Sequence, residues 1–143
     1  MGYEYLDHPA DVILHSWGAD INGALISAVE GMFNFMSDLT RVEEKDKRVV
    51  QVNAKSYEEL LVKLLDGWLC IFSSELFLAK RFVFTQFDDS DEDNITITCE
   101  GFGEFFVVGK HQQGTEIKAI TWHNLEIYDD VKEQTHIHIL LDI

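Results

Sequence analysis

The chain predicts an α+β fold, two helices packed on mostly antiparallel β-sheet in a single domain over residues 1–143. Three observations carry this reading. Two apolar stripes with helical spacing lie in the first half, period-two segments dominate after residue 80, and strand-helix alternation does not continue to the end as a doubly wound parallel sheet requires. A chain of 143 residues with 46% hydrophobic and 12% aromatic content is long and apolar enough for one continuous core.

The elements follow in order. A-D-V-I-L-H-S-W, 10–17, reads as a strand with Asp11, Ile13 and His15 on one face and Val12, Leu14 and Ser16 on the other. After Asp20, a suitable N-cap, apolar residues recur at Ile21, Ala24, Leu25, Ala28, Val29, Met32, Phe33 and Met36, the stripe of an amphipathic helix. Residues 39–48 form a charged connection, and R-V-V-Q-V-N-A is the next strand. Ser56 and Glu59 have capping-box spacing and open a second helix, with core positions Leu60, Leu61, Leu64, Leu65, Trp68, Leu69 and Phe72. Five strand-like runs follow: 81–87, 94–102, 104–109, 116–128 and 135–143, with Gly101 and Gly103 expected to mark a bulge or tight turn.

The net charge of −15 disfavours direct binding to a phosphate backbone, which needs clustered Lys and Arg; it concentrates divalent cations and basic protein surfaces instead. Cys70 and Cys99 lack C-x-x-C spacing and are expected to be buried, reduced thiols. No apolar run reaches the length of a membrane span, and the first residues lack the regions of a secretory leader, so an intracellular, cytoplasmic or nuclear protein is expected.

Several motifs invite chemistry. Asp89, Asp91, Asp93 and Glu100 fall at EF-hand spacing, yet Asn94 occupies the glycine position and both flanks alternate as strands, so 88–93 reads as a solvated hairpin connection. His136, His138 and Asp142 share a strand face, but neighbours on one strand stand roughly 7 Å apart and enclose an ion only with ligands from elsewhere. The two histidines are read as cross-strand or partly exposed polar residues. No nucleophile motif or phosphate loop is present, and Lys110 and His111 are the cationic candidates of a loop at 110–115. At the C-terminus, H-I-H-I-L-L-D-I is apolar and alternating, which places the carboxylates of Asp142 and of terminal Ile143 at the end of a strand. With Asp11 they would make three hard oxygen donors suited to Ca²⁺, Mg²⁺ or Mn²⁺. Linear spacing leaves open whether Asp11 lies beside them.

Y-E-Y-L-D-H-P-A-D-V near the start, K-H-Q-Q-G-T-E-I-K-A-I-T-W-H at 110–123, the G-x-x-x-x-x-A-L-x-x-A spacing into the first helix, D-G-W-L in the second and the final D-I occur in one order along the chain. Together these segments resemble the archease family. The resemblance implies a small metal-binding protein, not itself an enzyme, that activates the tRNA-splicing RNA ligase by promoting guanylylation of its histidine. It further implies metal ligation by Asp11, Asp142 and the Ile143 carboxylate, with Ca²⁺ the expected ion and Mg²⁺ or Mn²⁺ alternatives, and a contact of Lys118 with the ligase or its nucleotide. Pro9 stands where Thr is common, Ile13 near a frequent Gly, and Trp122 in place of Tyr; none removes a proposed ligand. Two other readings remain beside it: an acidic protein-interaction module without a metal role, and an autonomous metal-dependent hydrolase using Asp11, Asp142 and His138.

Overall fold

A computed structural model describes residues 1–143. The order is β1 (Gly2–His8), β2 (Asp11–Gly18), α1 (Ile21–Met36), a 3₁₀ turn (Leu39–Arg41), β3 (Asp46–Ala54), α2 (Tyr57–Glu75), β4 (Phe77–Asp88), β5 (Ile95–Phe105), β6 (Ala119–Ile120), β7 (Glu126–Asp129) and β8 (Thr135–Asp142). Two antiparallel sheets result. The larger runs β1-β2-β8, with β6 and β7 end to end along the far edge of β8, and the smaller runs β3-β5-β4.

Local chemistry explains the helices. The Asp20 carboxylate accepts a hydrogen bond from the Gly23 N–H at 2.8 Å, and the Ser56 hydroxyl accepts from the Glu59 N–H at 3.1 Å, each satisfying a free donor of a first turn. The Glu59 carboxylate pairs with Lys63, 2.7 Å away. Helix α2 ends at Leu76, whose left-handed backbone (φ 56°) lets its N–H donate to the Phe72 carbonyl.

Both helices touch strands of both sheets, so each sheet turns one face inward and keeps the other for solvent. A continuous cluster of 31 buried apolar residues joins the layers, with Leu14, Phe33, Trp68 and Ile139 fully enclosed. Burying each such side chain contributes about 1.5–3 kcal/mol before conformational entropy is subtracted. No helix is long and apolar enough to cross a membrane.

The α+β expectation holds, and so does the helical core, apart from half-buried Ile21 and Phe72. Several details differ. Gly2–His8 is a strand whose mixed side chains hide its period, because β1 is an edge strand with an exposed flank. Residues 104–109 are not a separate strand: β5 continues to Phe105, and the chain then leaves the sheet. The run 116–128 yields only the short β6 and β7, interrupted at Asn124 by a left-handed backbone (φ 55°).

Gly101 and Gly103 lie within β5 and serve close approach: a Cβ on Gly101 would meet the Trp68 ring at 2.4 Å, and one on Gly103 would overlap the Leu78 carbonyl. The bulge is on the partner strand, where the register shifts between Ala79 and Arg81. Cys99 is buried, and burial pushes its thiol up to about 12. Cys70, in contrast to the expectation, is exposed, because it lies on the solvent side of α2.

Candidate functional site

Strand pairing brings the two ends of the chain together. β2 and β8 are antiparallel with Asp11 opposite Asp142, and β8 in turn places Asp142 opposite Ala119 of β6. Directly opposed residues have Cβ atoms about 4.5–5.5 Å apart, so two carboxylates there repel unless a cation joins them. Ile143 follows, half-buried and packed against the core, which fixes the strand end. The N–H of Lys118 donates to the Asp142 carbonyl at 2.7 Å, and Thr121 donates from both its N–H and its hydroxyl to the Leu140 carbonyl. Thus Asp11, Asp142, Ile143 and the Lys118 backbone occupy one end of the larger sheet.

The β1–β2 turn adds a residue that linear reading missed. His8 pairs with Asp11 across the turn, and its Nδ1 lies buried without a hydrogen bond, 3.6 Å from an Asp11 carboxylate oxygen. Only the turn H-P-A-D could have signalled this. Proline fixes its own φ, and Ala10 takes a left-handed φ of 62°, strained for a residue with a Cβ. That strain sits immediately before Asp11.

The segment from Phe106 to Lys118 is tied down from beneath. Buried Glu104 accepts hydrogen bonds from the Glu43 N–H at 2.6 Å and from Lys110 Nζ at 2.9 Å, while His111 Nε2 stands 3.2 Å away. His111 Nδ1 accepts from the Val107 N–H, and the Gly114 N–H donates to the Met36 carbonyl. Burial alone would raise the Glu104 carboxyl, but Lys110, the Glu43 amide and His111 outweigh it and hold the group down at about 2. Lys110 and His111 are therefore partners of a buried acid that anchors this loop, and the loop brings the Lys118 backbone to Asp142.

The donor chemistry fits a hard cation. Asp11, Asp142 and the terminal carboxylate offer only oxygens. No three His, Cys, Asp or Glu side chains are arranged around a common point. The His136–His138 pair lies along the same outward face but is not part of this set: Leu140 and Ile13 form an apolar row between them and the carboxylates. Both histidines make cross-strand contacts, as expected of them. Asp89, Asp91 and Asp93 lie in the β4–β5 hairpin, with Glu100 removed along β5 and paired to Lys47. A surface groove of about 550 Å³, bordered by Asp20, Tyr57, Tyr128 and Glu133, contains none of the candidate ligands.

Two helices between antiparallel sheets, with carboxylates gathered where the first hairpin meets the last strand, define a small acidic α+β protein without an evident nucleophile. Residues 3–143 match the Archease protein family (MTH1598/TM1083). The chain is 40% identical to the protein archease of Danio rerio over 141 residues, 99% of this chain and 85% of that protein. It is 38% identical to a protein archease-like of Drosophila melanogaster, covering 100% and 91%. The solution structure of Methanobacterium thermoautotrophicum protein 1598 superposes with a TM-score of 0.86 at 31% identity, covering 99% of both chains. The chain belongs to the archease family.

Proposed function

We propose that this protein activates a tRNA-splicing RNA ligase, with Asp11, Asp142 and the Ile143 carboxylate holding a divalent cation, Ca²⁺ by family resemblance, that is presented to the ligase's nucleotide site. The observation that carries the reading is the register of Asp11 against Asp142 at the strand end where Ile143 and Lys118 also lie. A bound cation neutralises opposed carboxylates here and phosphate charge on the nucleotide there. The covalent chemistry belongs to the ligase, whose histidine attacks GTP. Lys118 supplies a point charge suited to a phosphate or an acidic ligase residue beside that cation. The ligase is the partner, and RNA is bound by the ligase.

The decisive assay measures GMP loading on the cognate ligase with and without this protein, in Ca²⁺, Mg²⁺ and Mn²⁺ separately. Stimulation that survives Asp142→Asn unchanged overturns the reading. One residue appended after Ile143 moves the terminal charge and is expected to weaken both ion binding and stimulation, with the fold intact by circular dichroism.

A further inference from the structure

The outward face of the larger sheet carries a second cluster that the carboxylate site does not use. His136 and His138 alternate along β8, and His15 projects from β2 directly opposite His138. The His15 ring centre lies 5.1 Å from that of His136 and 4.3 Å from that of His138. His15 is thus the ligand from elsewhere that two histidines on one strand need.

Each ring has a carboxylate on its outer side. His15 Nδ1 donates to Glu4 at 2.9 Å, His136 Nε2 donates to Asp130 at 2.7 Å, and His138 Nδ1 stands 3.6 Å from Glu126. An ionised carboxylate only accepts, so His15 Nδ1 and His136 Nε2 carry the protons, and the other nitrogen of each of these rings, when neutral, is a bare lone pair. For His15 and His136 these are Nε2 and Nδ1, facing each other 2.9 Å apart. His138 Nε2 is buried and without a hydrogen-bond partner. Two opposed lone pairs repel unless a positive species lies between them, and the His138 nitrogen is left unpartnered beside them.

A carboxylate behind an imidazole, fixing its tautomer and raising its basicity, is the outer-shell arrangement of metal-ligating histidines. We propose that His15, His136 and His138 form a nitrogen-donor site for a divalent transition ion, Zn²⁺ being the best fit, separate from the oxygen site at Asp11 and Asp142. Three imidazoles leave a fourth position open on a tetrahedral zinc. The rings do not already surround a common point. Two ligand nitrogens on one tetrahedral zinc lie roughly 3.3 Å apart, so binding opens the His15–His136 contact by a few tenths of an ångström through side-chain rotation. Tyr128, stacked on His136 at 5.2 Å and 6°, keeps that ring in plane.

The test is calorimetry with ZnCl₂ on the full chain, alongside ¹⁵N spectra of the histidine rings. One zinc per chain is expected, with the resonances of His15, His136 and His138 shifting while those of His111 and His123 stay fixed. Affinity should fall at least roughly tenfold in His138→Gln and in His15→Gln, and persist in Asp142→Asn. Lower pH should weaken binding as protons compete for the same nitrogens. Absence of zinc binding, shifts confined to other histidines, or binding lost only with Asp142→Asn overturns the proposal. The wild-type spectra decide the matter even where a histidine variant fails to fold, and the outcome is independent of ligase stimulation.

Discussion

The two sheets of this protein treat charge in opposite ways. In the smaller sheet three basic residues of β3 and β4 meet acids: Arg48 with Glu75 at 2.9 Å, Arg81 with Glu44 at 2.7 Å and Lys47 with Glu100, while the two guanidinium groups also lie over Phe77, Phe105 and Phe102. The strands of the larger sheet contain no Lys or Arg at all. Among their acids, Glu4 and Glu126 stand opposite His15 and His138, and Asp11 stands opposite both His8 and Asp142. The smaller sheet has cations set against nearby acids, while the larger keeps a concentrated negative field along its strands.

The contrast can be broken most forcefully at Asp142. Asp142→Asn should lower Ca²⁺ affinity and ligase stimulation at least roughly tenfold, with little loss of stability, because it removes one of two opposed like charges. Calorimetry and melting curves read both. Saturating Ca²⁺ at 100 times its dissociation constant should stabilise the wild type by about 2.7 kcal/mol; an equal shift in Asp142→Asn would dissociate the carboxylates from ion binding.

Glu104 gives the next effect, and it is purely a matter of stability. Its carboxyl is held at about 2 against an ordinary 4.5, so the folded state binds this proton less readily than the unfolded chain. The stabilisation, on the order of 3 kcal/mol, is complete above pH 4.5 and is lost as pH falls toward 2. Glu104→Gln should flatten that part of the pH-stability profile and loosen the segment carrying Lys118, read as faster amide exchange at Lys118. A profile unchanged below pH 4.5 would remove Glu104 from the anchor.

Ala10→Gly relieves the left-handed residue and should raise stability by about 1 kcal/mol or less while weakening Ca²⁺ binding slightly, since Asp11 is then aimed less firmly. A net destabilisation would show that the turn is not strained. Smallest of all, Arg81→Gln should cost under about 1 kcal/mol and leave ion binding unchanged, because the pair it breaks is half exposed.

Much of this was legible along the chain. The stripes of α1 and α2, their caps at Asp20 and Ser56, the alternation of β2 and the acidic hairpin follow from local periodicity and capping chemistry, which nearby residues settle among themselves. Edge strand β1 and the broken 116–128 run were obscured because exposed, short pairings impose little pattern on side chains. The proposed ligands were nameable from family resemblance, yet His8 was not, since its role depends on a two-residue turn folding back on Asp11.

The amino-acid order by itself determined the helices, the apolar core and the acid-rich surface, because those depend on spacing and composition within a few turns of chain. Tertiary structure alone decided that Asp11 faces Asp142, that His15 joins His136 and His138, and that Lys110 and His111 serve buried Glu104. Each of these depends on which strands pair and in what register, a choice made by contacts between distant segments; one step of register would send every side chain to the opposite face.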